Sequence, residues 1–388
     1  MSYQISNFDF STKQPLQLIS CLSPSWGGLE MVADEMVGLF LRNQQKFMFI
    51  CLAGSPLHQR LQQYQVPCLA ISQLSLWSMY QVNQFLSSLN LAALSVHKLA
   101  DLRFFMPLMI KNKKIKIVGY SHSFIAVNKN DFLHRWLYRR LDVLVALTNL
   151  HMQNLLQHLP IAPEKMCIIP NSVDRFLFSK KNKIPQFKKS LGFLESDILV
   201  GLVSRLDPGK GQLMALKALA HIKQKGSHSV KLVFVGQNTL HETDFESELK
   251  SFIEKNNLKQ DVYFLGHRND IAPVVASFDI LIQPSKAETF GRSIIEGMSA
   301  AVPVISTQAG GVPDILQNEW NGLLVSPEND EELAQAIEKL IVNTALRVRL
   351  VQQAELDVAQ KYDKTQVHQL VMDLYRSADR SELHASVG

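Results

Sequence analysis

Cysteine is scarce. Cys21, Cys51, Cys68 and Cys167 are the four in 388 residues, with no Cys-x-x-Cys and no Cys/His cluster. That spacing excludes a zinc site and a disulfide framework, and reads as buried, reduced thiols of a cytosolic protein. Long apolar runs are also missing. No stretch approaches the ~18 residues of a membrane-spanning helix, and no basic region leads into a long apolar one near the start. The sequence therefore predicts neither a signal peptide nor a transmembrane segment, and any membrane contact must be peripheral. Charge of one sign is not in large excess: 40 Lys and Arg against 35 Asp and Glu give +5. At this size that argues against a nucleic-acid binder and, where it is concentrated, suits an anionic ligand or an anionic membrane surface. There is no Gly-x-Gly-x-x-Gly, and no acidic residue ends a second strand at the distance a nicotinamide dinucleotide requires.

What the chain does have is apolar content of 46% against 19% charged, enough to bury two full cores at this length. Apolar runs of strand length alternate with amphipathic segments of helix length. The strand expectations are Leu16–Cys21, Phe47–Leu52, Val66–Ile71, Ala92–Val96, Ile115–Tyr120, Val143–Leu147 and Met166–Ile169, then Ile198–Val203, Lys231–Val235, Val262–Leu265, Ile280–Gln283, Val304–Ser306 and Gly322–Val325. Short runs rich in Val, Ile and Leu fit parallel strands covered on both faces. The fold class is α/β, with two Rossmann-like, doubly wound domains facing a central cleft. The basic, polar stretch Lys180–Lys189 reads as the linker. It divides the chain into a domain over 1–180 and a domain over 190–362, with a last helix, within about 363–388, packing back on the first.

Glu288 and Glu296 bracket Glu-Thr-Phe-Gly-Arg-Ser-Ile-Ile-Glu, a turn that leaves the apolar strand ending at Gln283 and enters an amphipathic helix. Such a turn aims backbone N–H groups and a positive helix end at whatever sits above it, which suits phosphate. One carboxylate could then reach a sugar while the other holds a ribose. Ser204-Arg205-Leu206-Asp207-Pro208-Gly209-Lys210-Gly211 follows another strand and opens a helix. Two cations at that place can neutralise a diphosphate and stabilise it as a leaving group; the plain alternative is a solvated loop with two surface cations. Gly310-Gly311 and Gly27-Gly28 lie in two further Gly-rich strand-to-helix turns. His97 and His122 each stand at the end of a first-half strand, where a histidine is structural or lines the ligand. Pro170-Asn171-Ser172-Val173-Asp174 reads as a turn with local Asn/Asp hydrogen bonds.

Taken in order, Gly-Gly-x-Glu, the strand-end His, Pro-Asn-x-Val-Asp, Ser-Arg-Leu-x-x-x-Lys-Gly, Phe-Leu-Gly, Glu-x7-Glu and Gly-Gly-x-Pro resemble the retaining glycosyltransferases of family 4, which have the GT-B fold. The resemblance runs over nearly the whole chain and is strongest from Pro170 to Pro327. It implies that Arg205 and Lys210 bind a donor diphosphate, that Glu288 faces the donor sugar, with Thr289, Phe290 and Gly291 offering backbone contacts, and that Glu296 accepts the ribose hydroxyls. It places Gly266 near the base, His122 against the transferred sugar and Gly28 on the acceptor side; His97 is the other strand-end histidine. It implies no metal and no cofactor. Asp-x-Asp is absent from the loops expected to face the cleft, and the donor that the resemblance implies is a UDP- or GDP-linked sugar. Front-face attack would retain the anomeric configuration, with the leaving phosphate helping to deprotonate the acceptor and Glu288 supporting an oxocarbenium-like transition state. Three small residues depart from the family pattern: Ser172 stands for Gly, Gly297 for Ala and Ala301 for Gly.

The expected activity is transfer of a sugar to a glycan or lipid-linked acceptor in cell-envelope polysaccharide or lipopolysaccharide biosynthesis, in the cytoplasm or at the inner face of the membrane. Two alternatives have the same architecture, a non-catalytic binding or assembly subunit and a sugar-nucleotide epimerase. Lys129–Arg140 mixes cations with Phe132, Trp136 and Tyr138, and Lys111–Lys116 adds four more. The pair reads either as a surface for anionic membrane or as an ordinary crossover helix with Trp136 and Leu137 in the core.

Overall fold

The computed structural model describes residues 3–7, 14–226, 228–238 and 243–376. The chain forms two compact units, one running to Ile169 and taking up the chain again from His368, the other spanning Pro170–Val367.

In the first unit an eight-stranded sheet has the order β1-β4-β3-β2-β5-β6-β7-β8. Its strands are β1 (Tyr3–Ser6), β2 (Leu16–Cys21), β3 (Phe47–Leu52), β4 (Cys68–Ile71), β5 (Leu91–Val96), β6 (Lys116–Tyr120), β7 (Val143–Ala146) and β8 (Met166–Ile168). All pairs are parallel except β1 with β4. β2 is buried along its whole length, as expected of a strand covered on both faces. Among the described residues only β1 lies outside the expected set. It is a partly exposed edge strand, so no continuous apolar run announces it.

The second unit holds a six-stranded parallel sheet ordered β11-β10-β9-β12-β13-β14. These are β9 (Ile198–Val203), β10 (Val230–Val235), β11 (Val262–Gly266), β12 (Ile280–Gln283), β13 (Val304–Thr307) and β14 (Leu323–Val325). In order of appearance that is 3-2-1-4-5-6, the doubly wound dinucleotide-domain order, which reverses between the first and fourth strands. Those strands are β9 and β12, and the crevice beyond their carboxyl ends is where such sheets bind ligands.

Lys180–Lys189 does not behave as a free linker. Lys180 Nζ donates to Phe278 O at 3.0 Å, Ile184 N to Ser277 Oγ at 2.8 Å, and Lys188 pairs with Asp279 at 2.7 Å. Phe187 is buried beside Phe278. These contacts tie the segment to the second unit, and the division falls ahead of it, at Ile169–Pro170. The last helix, Lys364–Arg376, crosses the second division. Its part from His368 packs on the first unit: His368 Nδ1 lies 2.9 Å from Arg42 Nη2, Lys116 Nζ donates to Leu374 O at 2.6 Å, and the Tyr375 ring meets Phe40 edge-on at 5.3 Å. Of the expected terminal segment, residues 377–388 lie outside the described residues.

Candidate functional site

The loops that leave β9 and β12 are joined at the switch point of the second sheet. After β9 the chain runs through Ser204–Lys210. Asp207 accepts from Gly209 N at 2.7 Å, and the helix Gln212–Lys225 starts at Gly211. Gly211 has φ +82°, and a Cβ there would sit 2.0 Å from Pro284 O in the loop after β12. Only glycine allows the two loops to approach so closely. Lys286 N donates to Gly209 O at 2.9 Å across the same seam. Gln212, fully buried, donates to Ser204 Oγ at 3.0 Å and Arg205 O at 2.7 Å, which holds the backbone of the cationic loop.

On that frame Lys210 Nζ donates to Glu288 Oε2 at 2.8 Å, the two side chains being 24% and 15% exposed. The Arg205 side chain is exposed at the mouth of its loop. Glu288 O accepts from Gly311 N at 2.8 Å, so the Gly310-Gly311 turn buttresses the Glu288 loop. Behind the carboxylate lies a buried polar chain of Ser285, Gln283 and Ser293. Thr289 is partly buried, and Phe290 is buried edge-on to Tyr362 at 5.8 Å, so its ring belongs to the core and only its backbone remains for a ligand. Gly291 begins the helix Arg292–Ser299, and Glu296 is 8% exposed one turn along it, with Oε1 4.0 Å from Arg292 Nε. Gly266 ends β11 and its carbonyl accepts from Gly236 N at 2.9 Å.

The first unit carries the remaining expected residues. Gly28 opens the helix Gly28–Arg42 at the carboxyl end of β2, behind Gly27. The neighbouring Trp26 ring lies under the Arg60 guanidinium at 4.9 Å, and Asp34 holds Arg60 at 2.9 Å. His97 is fully buried in a stack, 4.5 Å from the Tyr120 ring and 5.6 Å from that of His122. Burial, and then the proximity of His122, hold His97 well below the usual histidine range, so it is a neutral ring. His122 is only partly buried and is the more accessible of the two. Nearby, burial pushes Asp101 up to about 6 against the opposing Leu22 N–H and Lys98. The helix Phe132–Arg140 packs Leu137, Tyr138 and part of Trp136 on the core, as a crossover helix does. Phe132, at 86% exposed, stands out on it.

Sequence reasoning missed Gln283, Ser285, Gln212 and Tyr120. Gln283 had a signal: it is the polar residue that closes an Ile-Leu-Ile run, where burial without hydrogen bonds is costly. Among the described residues no three His, Cys, Asp or Glu side chains gather to hold a metal ion, and no helix is long and apolar enough to cross a membrane.

Two family models match the chain: "Glycosyltransferase Family 4" over residues 26–175 and "Glycosyl transferases group 1" over residues 183–357. Among curated relatives, an Escherichia coli K12 protein named lipopolysaccharide glucosyltransferase WaaG is 25% identical over 54% of this chain and 56% of its own. A Campylobacter jejuni protein, named as an N-acetylgalactosaminyltransferase acting on a diphospho-undecaprenol-linked sugar, is 26% identical over 61% of each. The match spans little more than half the length of such relatives. Among solved structures, Anabaena Alr3699/HepE in complex with UDP and glucose has a TM-score of 0.80 at 22% identity, covering 93% of this chain and 99% of that one. A glycosyltransferase from Rickettsia africae has a TM-score of 0.85 at 20% identity over 94% and 98%. At these identities the likeness carries the fold, two parallel-sheet α/β domains of the GT-B type.

Proposed function

The chain belongs to the group 1 glycosyltransferases of family 4, and from that premise we propose that it transfers a sugar, with retention and without a metal, from a UDP- or GDP-linked donor to a glycan or lipid-linked acceptor of the cell envelope. The observation that carries this reading is the Lys210–Glu288 pair, at 2.8 Å, at the switch point of the second sheet.

In this reading the donor diphosphate takes Lys210 and Arg205 as counter-charges, which stabilise the nucleoside diphosphate as it leaves. Lys210 is already oriented by Glu288, so little side-chain freedom is lost when the phosphate arrives. Glu288 accepts a hydroxyl of the donor sugar and supports positive charge at the anomeric carbon as the bond to the diphosphate breaks. The departing phosphate oxygen takes the acceptor proton. Glu288 therefore acts as neither nucleophile nor base. Glu296 accepts the ribose hydroxyls, and Gly266 leaves room for the base beside β11. Gly28 and His122, at strand ends of the first unit, are assigned to the acceptor and the transferred sugar. Retention and metal independence rest on the family resemblance and on the cationic loop, which supplies the charge a divalent ion would.

The nature of the partners is supported by what the relatives' names say of them: UDP and glucose for the Anabaena protein, a lipid diphosphate-linked sugar for the Campylobacter one. A panel of UDP-, GDP- and ADP-sugars tests the reading. One nucleotide family should raise the melting temperature and be slowly hydrolysed, with the α-anomer released first and no loss on adding a chelator. A melting curve unmoved by every nucleotide would sink it. For an acceptor on anionic membrane, exposed Phe132 with Arg135 and Arg139 should bring the protein down with anionic vesicles at low salt, and neutral vesicles should leave it in the supernatant.

A further inference from the structure

We propose that Gln283 is a positioning residue for Glu288, acting through Ser285, and that its carboxamide sets the direction of hydrogen bonding into that carboxylate. The inference rests on the reading of Glu288 as the group that holds the donor sugar.

Gln283 is the last residue of β12 and is 2% exposed. Each polar part of it is used. Nε2 donates to Ser285 Oγ at 2.7 Å, Oε1 accepts from Ser293 Oγ at 2.7 Å, and its carbonyl accepts from Ser306 Oγ at 2.8 Å. Ser285 and Ser293 flank the loop that carries Glu288, so one side chain ties both ends of it. Thr307 Oγ1 donates to Ser285 O and fixes the first end a second time. A core strand that needed only volume here would carry another Leu or Ile, because a buried amide gains little unless all its bonds are made.

The direction of the chain follows from proton counting. A serine hydroxyl has one proton to give. Ser285 Oγ lies 3.4 Å from Glu288 Oε2, and an ionised carboxylate only accepts. With Nε2 occupying a lone pair of Ser285, the serine proton stays available to Glu288. The reversed amide would take that proton on Oε1 and leave Glu288 with Lys210 alone. The 3.4 Å separation is long, as bonds of this kind commonly are until substrate draws the groups together. Ser285 and Lys210 converge on one oxygen, Oε2, which leaves Oε1 to a hydroxyl of the donor sugar.

Three substitutions separate holding the loop from directing the proton. Gln283→Glu still accepts from both Ser285 and Ser293, so the loop stays tied, but it draws the Ser285 proton away from Glu288. Ser285→Ala removes the link alone. Gln283→Leu removes both ties. Gln283→Glu and Ser285→Ala should lower kcat about tenfold with the donor KM within about twofold, the cost of one hydrogen bond made to a charged group in the transition state. Gln283→Leu should lower kcat and raise KM together. As pH falls, the carboxyl group introduced by Gln283→Glu takes up a proton and regains a donor. The kcat of that variant should then recover towards that of the wild type, which loop anchoring alone does not produce. Wild-type kcat in both Gln283→Glu and Ser285→Ala overturns the proposal. Crystal structures of the same two variants decide it without turnover: the Glu288 carboxylate, held by Lys210 alone, should turn away from residue 285, and an unmoved carboxylate in both refutes the role. A wild-type protein that neither binds nor turns over any nucleotide sugar sinks the transfer reading instead, and the carboxylate position still settles the role of Gln283.

Discussion

Lys210 Nζ and Glu288 Oε2 lie 2.8 Å apart although 78 residues separate them in the chain. The pair exists because β9 and β12 are neighbours in the sheet and each sends a loop from its carboxyl end. Lys210→Ala should cost about two to three orders of magnitude in kcat, as loss of a preorganised charge usually does. Glu288→Gln should cost as much while leaving nucleoside diphosphate binding intact, because the amide keeps the size of the side chain. The double variant should be little worse than either single one, since the two groups act as a unit. Initial rates and calorimetry with the nucleoside diphosphate check this; additive losses would show that the groups act apart.

Gly211→Ala tests the seam between those loops. Alanine at φ +82° is strained by about 1–2 kcal/mol, and its Cβ would overlap Pro284 O at 2.0 Å, a backbone atom that cannot rotate aside. Gly226→Ala provides the comparison: φ is +65° there, but nothing lies within 4 Å. Gly226→Ala should show only the strain. Gly211→Ala should lose at least about 1 kcal/mol more in denaturant unfolding, because overpacking adds to strain, and should lose the stabilisation that nucleotide gives. Equal losses in the two variants would mean that the loops separate freely.

Most of the sheet architecture was legible because parallel strands buried on both faces are nearly continuous apolar runs. β2, β3, β9 and β12 fall where Leu16–Cys21, Phe47–Leu52, Ile198–Val203 and Ile280–Gln283 were expected. β1 was not, since an antiparallel edge strand needs no such run. The division between units was misplaced because Lys180–Lys189 looks like solvated linker by composition, while Lys180 and Lys188 direct their charge to Phe278 O and Asp279. Motif spacing put Arg205 and Lys210 on the loop after β9 and Glu288 on the loop after β12, and the structure pairs Lys210 with Glu288. The Ser285–Gln283–Ser293 chain behind them was not legible, because it depends on which of three hydroxyl and amide groups share one pocket, and sequence order does not give that. Tyr120 over His97 was hidden for the same reason: the two come from adjacent strands, 23 residues apart in the chain.

His151 works against the folded state in acid. It is fully buried, Leu147 N donates to its Nδ1 at 3.3 Å, and Nε2 faces Ser123 O at 3.1 Å. That pattern suits the neutral ring protonated on Nε2, and a proton on Nδ1 would face a donor. Burial lowers its pKa from 6.5 to about 4. The unfolded chain therefore binds a proton that the folded one refuses between those values. Stability is unaffected by this group above pH 6.5 and falls as pH drops towards 4, by about 3 kcal/mol in all. Asp101 works in the opposite sense over part of that window, being raised to about 6, so the signature is a difference between proteins. Unfolding free energy of the wild type minus that of His151→Gln should decline from pH 7 to pH 4. A difference that stays level across that range would refute the account.

Ala301 occupies a position that the fold reserves for glycine. It follows the helix Arg292–Ser299 with φ +53°, and around it Val302 N donates to Gly297 O at 3.0 Å and Ala301 N to Met298 O at 3.3 Å. This is the left-handed helix ending in which the residue after the cap is usually glycine. Alanine there costs about 1–2 kcal/mol of backbone strain, offset in part because glycine loses about 0.4–1 kcal/mol more entropy on folding. Ala301→Gly should therefore stabilise the protein by about 0.5–1 kcal/mol, read as a rise in the denaturant midpoint at unchanged slope. The helix it ends carries Glu296 and begins directly after Gly291. The gain should come without loss of turnover, as removal of strain at the far end leaves the Glu288 loop in place. A lower midpoint for Ala301→Gly would mean that the alanine methyl contributes packing worth more than the strain it causes.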